Sequence, residues 1–309
     1  MPLVSSPRAC FLGVERSAGG RRWEERLTDP RLALALAQRL NLPEVVGRVM
    51  AARGVALDDA GAYLEPTLRQ AMPDPLVLKD MGAAVARLAR AITGGEGIAI
   101  FGDYDVDGAT STALLQRFLR AVGGEPRVYI PDRIIEGYGP NAPAMLELHR
   151  QGAAVVVTVD CGISAFEPLV AAAQAGLDVI VLDHHAAQAA LPAAAAVVNP
   201  NRLDEPGPAE DRHGLRRLAA VGVTFLLVVA LNRALREAGW YGRDGRDEPD
   251  VRQWLDLVAL GTVCDVVPMT GLNRALVTQG LKVMAGRGNP GLVALADVAR
   301  LDERPDTYH

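Results

Sequence analysis

The apolar residues of this chain change their period once, after Gly94 and Gly95. Before that point "DPRLALALAQRL", "LPEVVGRVMAARGV" and "MGAAVARLARAI" space apolar side chains three and four apart, as one face of a helix requires. Residues 30–95 are therefore expected to form a helical N-terminal segment, with Asp80 capping its last helix. Beyond it come short β-rich runs: "GIAIF" (97–101), "RVYI" (127–130), "AVVVTV" (154–159), "DVIVL" (178–182) and "AAVVN" (195–199). Helical stretches, "ATSTALLQRFLRAV", "NAPAMLELHRQG" and "EPLVAAAQAG", separate most of them. Continuous apolar strands alternating with helices predict an α/β fold, a largely parallel five-stranded sheet with helices on both faces.

The polar, Pro- and Gly-rich "NRLDEPGPAEDRHG" then leads to long helices, "LRRLAAVGVTFLLVVALNRALREAGW" and "VRQWLDLVALGTV", joined by the solvated loop "YGRDGRDEPD". The end, "GLNRALVTQGLKVMAG" and "GLVALADVARL", reads as helix again. Residues 1–29 have no period and are expected to be a loose extension. The division that follows is 1–29, 30–95, a sheet domain over 96–288, and the start of a linker over 289–309.

Composition narrows the function class only a little. Of 309 residues half are hydrophobic, and the formal net charge is −5. No global basic field advertises a polyanion binder, although a local basic groove stays open. Lys79 and Lys282 are the only lysines, so nearly all positive charge is arginine, suited to bidentate phosphate contacts but also the product of a general Arg and Ala bias. Cys10, Cys161 and Cys264 show no metal or disulfide spacing, which fits a reducing compartment. The start, "MPLVSSPRACFLG", lacks the apolar core of a signal peptide. The longest apolar run, 218–231, has 14 residues, against roughly 20 needed to span a bilayer. A cytoplasmic protein without a membrane segment is expected.

The chemistry gathers at strand ends. "GDYDVDG" puts Asp103, Asp105 and Asp107 directly after the first strand. "TVDCGIS" puts Asp160 after the third, "LDHH" puts Asp183, His184 and His185 after the fourth, and Asp265 follows a helical run in "GTVCDVVP". In an open parallel sheet, functional groups meet in the crevice beyond the carboxyl ends of the strands. Converging carboxylates cannot be desolvated unpaired, and a divalent cation resolves the conflict. Oxygen ligands mixed with imidazole suit Mn²⁺, or Mg²⁺ with water completing its shell, and two ions sharing a carboxylate would form a phosphoryl-transfer clamp.

Duller readings exist for each piece. An EF-hand loop fails, because the twelfth position from Asp103 is Leu114 rather than Glu. Asp107 or Thr110 could cap the following helix, and His184 and His185 could be core histidines bonded to backbone. Cys161 and Cys264 read as small buried hydrophobes rather than ligands. There is no G-x-S-x-G elbow and no P-loop. The joint occurrence of the clusters favours metal.

Taken together, "FGDYDVDGATS", "VVVTVDCGIS", "VIVLDHH" and "LDLVALGTVCDVVPM" resemble, in order, the four motifs of the DHH phosphoesterase superfamily. "IPDRIIEGYGP", "LAAVGVTF" and "GLNRALVTQGL" are similar in detail to its single-strand-specific 5′→3′ DNA exonucleases, with the similarity running from about residue 60 onward. The resemblance implies that Asp105 binds one metal, Asp107 the other, and Asp160 both. It implies that His184 and Asp265 complete the second site, and that Asp103 ligates or orients a ligand. His185 would sit near the scissile phosphate, with His185, Asp107 and Asp160 as the catalytic group. Thr110, Ser111, Arg133, Tyr138 and Arg274 would touch nucleic acid, Tyr138 by stacking on a base.

The implied activity is phosphodiester hydrolysis of single-stranded DNA by metal-activated water, in DNA repair and recombination. The alternatives are a DHH enzyme acting on short oligonucleotides or cyclic dinucleotides, and a non-catalytic nucleic-acid scaffold of the same fold. Family members continue into a second domain that closes the cleft. This sequence stops at "LDERPDTYH", near where that domain is expected, and so reads as a fragment lacking the C-terminal domains.

Overall fold

The computed structural model describes residues 10–27, 29–207, 209–301 and 304–309, with Asp244 described by its backbone alone. The described residues form two compact units that part between Pro66 and Thr67. The helices expected over 30–95 are thus divided between them.

In the first unit, α1 (Pro30–Leu40) begins where Asp29 accepts from the amides of Arg31 and Leu32, with Pro30 at its first position. Asn41 ends it in the left-handed conformation. It packs with α2 (Glu44–Ala52) and α3 (Ala60–Leu64) around Ala33, Leu36, Met50, Val55 and Ala60. Before α1, Phe11–Gly13 make one 3₁₀ turn, and the Phe11 and Trp23 backbones pair. Residues 1–9 of the expected loose extension lie outside the described residues.

The second unit holds α4 (Leu68–Ala71) and α5 (Met81–Gly94), then the sheet. Asp80 does not cap α5. Its φ is 60°, and its carboxylate instead accepts from the Val197 amide and the Arg202 guanidinium, tying the entry of α5 to the far edge of the sheet. The strands are β1 (Ile98–Phe101), β2 (Arg127–Tyr129), β3 (Val155–Val159), β4 (Asp178–Leu182) and β5 (Ala196–Val198), all parallel, in the order β2-β1-β3-β4-β5. Each lies within the run expected for it.

Alternate strand residues enter two cores, as a period of two requires. Ile98, Ile100, Val155, Val157, Ile180 and Leu182 face one layer, built with α5, α6 (Val106–Ala121), α9 (Ala220–Glu237) and α10 (Leu255–Cys264). Ala99, Phe101, Val156, Val179 and Val181 face the other, with α7 (Ala142–Arg150) and α8 (Phe166–Gln174). α11 (Gly271–Ala285) packs on α10, and α12 (Pro290–Val298) follows, capped by Asn289.

The "LRRLAAVG" stretch is not continuous helix. A 3₁₀ turn at Leu215–Arg217 breaks before α9 starts at Ala220. No helix among the described residues is long and apolar enough to cross a membrane.

The strand order places a switch point between β1 and β3, since the chain leaves β1 for one edge and returns to its other side. Phe101 is in register with Thr158, and Val159 with Leu182. Whatever follows β1, β3 and β4 therefore emerges side by side in one crevice.

Candidate metal centre

The residues that emerge there are the expected ones. Asp103, Asp107, Asp160 and Asp183 are all buried. Asp105, more exposed, caps α6 by accepting from the Gly108 amide at 2.9 Å. The capping role expected of Asp107 or Thr110 thus falls to Asp105, because the helix begins one residue after it. The Thr110 hydroxyl donates back to the Val106 carbonyl at 2.8 Å.

Three groupings bring potential ligand atoms within 4.8 Å of one another: Asp103, Asp105 and Asp160; Asp107, His184 and Asp265; and Asp160, His184 and His185. His184 Nε2 lies 3.3 Å from Asp160 Oδ1 and 3.8 Å from Asp107 Oδ2. Its Nδ1 lies 3.0 Å from the Leu218 carbonyl, which can only accept, so Nδ1 carries the proton and Nε2 is the nitrogen left for a cation. Asp160 belongs to two of the groupings and sits between the others. Asp160 adopts φ 61°, and the Tyr138 hydroxyl donates to its carbonyl at 2.8 Å.

Asp183 organises the histidine turn. Its Oδ1 accepts from the His184 amide (2.7 Å), the His185 amide (3.1 Å) and His185 Nδ1 (2.7 Å), while Oδ2 accepts from the Ile163 amide (3.0 Å). The bonds from His185 and the backbone outweigh burial and hold its carboxyl below the usual range. The side-chain amide of Asn199 donates to the His185 carbonyl at 2.9 Å, and Asn201 likewise holds that of His184.

The other acids are destabilised as anions. Burial lifts Asp107 to about 6 and, with the neighbouring carboxylates of Asp107 and Asp105, lifts Asp160 to about 7. Burial also raises Asp103 and Asp265. His184 moves the other way from a lone buried imidazole. Burial opposes its charge, yet Asp160, Asp107 and Asp265 outweigh it and raise it to about 9. Three carboxylate oxygens, Asp103 Oδ1, Asp160 Oδ1 and Asp265 Oδ2, are buried without a hydrogen-bond partner. Orphaned anionic oxygens converging on an imidazole are what a divalent cation satisfies, so the residues present fit Mn²⁺ or Mg²⁺.

These shifts set the pH dependence of the metal-free protein. Asp107 and Asp160 bind protons more tightly folded than unfolded, so their contribution falls as pH rises from about 4 to 7. His184 stabilises fully below about 6.5 and loses that contribution as pH rises through about 9. The unfolding midpoint of the metal-free chain is expected to decline steadily between pH 6 and 9. A flat or rising midpoint over that window, followed by thermal melts in chelator, would contradict the electrostatics.

The last residue of the "GDYDVDG" motif has a steric reason. A Cβ on Gly108 would lie 2.5 Å from Asp103 Cβ and 2.8 Å from its N and Cα. Helix propensity alone would make Gly108→Ala stabilising by about 1 kcal/mol. The clash is with backbone and cannot rotate away, so the substitution is expected to destabilise by about 1–3 kcal/mol and displace Asp103. A urea midpoint that rises instead would refute this.

The nucleic-acid candidates divide. Thr110 and Ser111 are buried on α6, Ser111 completely, so neither hydroxyl is presented to a strand lying on the surface. "GATS" places them on the face of α6 that packs inward. Arg133 is exposed, its guanidinium 5.2 Å from the centre of the Tyr104 ring. Tyr138 is half exposed and stands edge-on to His185 at 6.1 Å, while its hydroxyl is engaged with Asp160. Arg274 lies in the first turn of α11, half-buried. Cys161 is buried as expected, whereas Cys264 is exposed, because α10 turns it away from the core as the helix ends. Sequence reasoning gave no role to Asp183, Asn199 or Asn201. Only the "LDHH" string hinted at the first.

The profile described as the DHH family, N-terminal domain, matches residues 97–262, which contain all of these residues but Cys264, Asp265 and Arg274, and the chain belongs to that family. Within it, the chain is similar to the single-stranded-DNA-specific exonuclease RecJ of Dickeya dadantii, 42% identical over 264 residues, covering 85% of this chain and 44% of the relative. The RecJ of Escherichia coli is 40% identical over 84% of this chain and 44% of its own length. The crystal structure of RecJ from Thermus thermophilus in complex with Mn²⁺ superposes with a TM-score of 0.68 at 31% identity, covering 88% of this chain and 36% of that one. An exonuclease RecJ bound to manganese gives 0.61 at 35% identity, over 73% of this chain and 53% of that one. The chain thus spans less than half the length of these curated relatives.

Proposed function

We propose that this chain is the metal-bearing catalytic portion of a RecJ-like exonuclease that hydrolyses single-stranded DNA from its 5′ end, in DNA repair and recombination. The observation that carries this reading is the set of orphaned buried oxygens of Asp103, Asp160 and Asp265 around His184. Asp103 and Asp105 would hold one divalent ion, Asp107, His184 and Asp265 a second, and Asp160 both. When bound, Mn²⁺ or Mg²⁺ would supply a nucleophilic water near neutral pH and neutralise charge on the phosphate. The fit to relatives crystallised with manganese supports a divalent ion here.

The chain's own residues do the rest. Asp183 holds His185 Nδ1 as a donor, leaving Nε2 as the nitrogen that can meet the leaving oxygen. Arg133 and Arg274 are assigned to the phosphate backbone and Tyr138, by its exposed ring, to a base. Single-strand choice and 5′→3′ polarity rest on the family resemblance and the relatives' names. We place the partner half of the cleft in the part of the relatives' length that this chain does not span.

With Mn²⁺, the chain is expected to release nucleotides from a long 5′-phosphorylated single strand at least tenfold faster than it cleaves a dinucleotide or a blunt duplex, and to stop in chelator. Preference for the dinucleotide would favour a small-substrate enzyme. Tight Mn²⁺ binding with no turnover of any of the three would favour a scaffold.

A further inference from the structure

The start of α9 touches the metal centre twice without contributing a side chain to it. Ala219 precedes the helix and has no side-chain oxygen with which to cap it. The orphaned first-turn donors are met instead by Asp107, from 113 residues away: Oδ2 accepts from the Ala220 amide at 2.6 Å and Oδ1 from the Val221 amide at 2.9 Å. One residue earlier, the Leu218 carbonyl accepts from His184 Nδ1 at 3.0 Å. Leu218, Ala219, Ala220 and Val221 are all fully buried, so no water competes for these bonds. Three backbone groups within four consecutive residues thereby fix the carboxylate plane of one ligand candidate and the tautomer of another. Those two candidates share one grouping, with Asp265, and the Asp103 and Asp105 grouping receives no such support.

We infer that Leu218–Val221 is a positioning element that preorganises the Asp107, His184 and Asp265 subsite, so that its integrity sets the affinity of one of the two ions and not the other. This rests on the two-ion reading above. Side-chain substitution cannot reach the interaction, because the groups are peptide N–H and C=O. Ala220→Pro can: it deletes a single N–H at the first helical position, where proline is tolerated, and Ala219 already has the extended φ −70° and ψ 161° that a following proline requires.

The experiment is a Mn²⁺ titration by calorimetry, with electron paramagnetic resonance to count bound ions, on the parental chain and on Ala220→Pro. Thermal unfolding is recorded alongside. Because the proline ring enters a packed position, a second variant replaces Ala220 with lactic acid, which exchanges the N–H for an ester oxygen and adds no atom. The expected result is two tight ions in the parental chain, and in both variants one ion of parental affinity and one weakened about 10- to 100-fold, as loss of an outer-shell partner does. Parental affinity for both ions in the folded ester variant would overturn the inference and leave the metal centre standing. Equal weakening of both ions would also overturn it, since a general loss of structure would then explain the effect. Absence of tight Mn²⁺ binding by the parental chain would sink the metal centre itself, and this element's role with it.

Discussion

Asp160→Asn is expected to reduce Mn²⁺-dependent nucleotide release at least about a thousandfold while leaving the metal-free protein as stable as its parent or more so. Asn keeps the shape of the side chain and tolerates the left-handed backbone that Asp160 occupies at φ 61°. It removes a charge that burial and the Asp107 and Asp105 carboxylates already disfavour, since the acid is held near 7. The same change removes the anionic oxygen placed between the two ligand groupings, 3.3 Å from His184 Nε2. Asp107 is the less clean target, because its carboxylate also closes the first turn of α9 through Ala220 and Val221. Nucleotide release, Mn²⁺ stoichiometry and a urea midpoint test the expectation together. Near-parental turnover by Asp160→Asn in a preparation free of other nucleases would remove the shared-ligand role.

Asp183→Ala should cost about 3–5 kcal/mol of stability and take metal affinity with it, although Asp183 is assigned to no metal and no substrate. Four donors converge on its fully buried carboxylate, and deletion leaves the amides of Ile163, His184 and His185 without their acceptor. Each such loss costs on the order of 1–3 kcal/mol, less than additively. Asp183→Asn separates shape from charge. A single amide oxygen cannot serve Ile163 on one side and the histidine turn on the other, so the amide NH₂ must face a donor. Asn is therefore expected to destabilise as well, by less than Ala, and to weaken Mn²⁺ binding through a misplaced His184. Chemical denaturation and Mn²⁺ titration of the two variants check this. Parental stability in Asp183→Asn would show that the network is not holding the turn.

The ligand candidates were legible because chemistry and period coincide. A strand buried on both faces must be apolar throughout, so the first acid after "GIAIF", "VVVTV" or "VIVL" marks both the strand's end and the crevice. The burial of Thr110 and Ser111 was not legible in the same way. Small hydroxyl residues next to an acidic motif read as polar, yet on α6 they face the interior, and a sequence does not say which side of a helix lies against its neighbours. Asp80 failed similarly as a cap, because a guanidinium 122 residues away made the better partner.

The sequence by itself determined the alternation of strands and helices, the five strands and their positions, and the acids and histidines that close them. All of these follow from local period and from residues adjacent in the chain. Tertiary structure alone decided which oxygens lack partners, which histidine nitrogen is free, and that an apolar "LAAVG" run supplies the N–H and C=O groups holding Asp107 and His184. Every residue carries those backbone groups, so their use leaves no mark in the order of side chains. They acquire a function only when the fold sets two distant segments within 3.0 Å of each other.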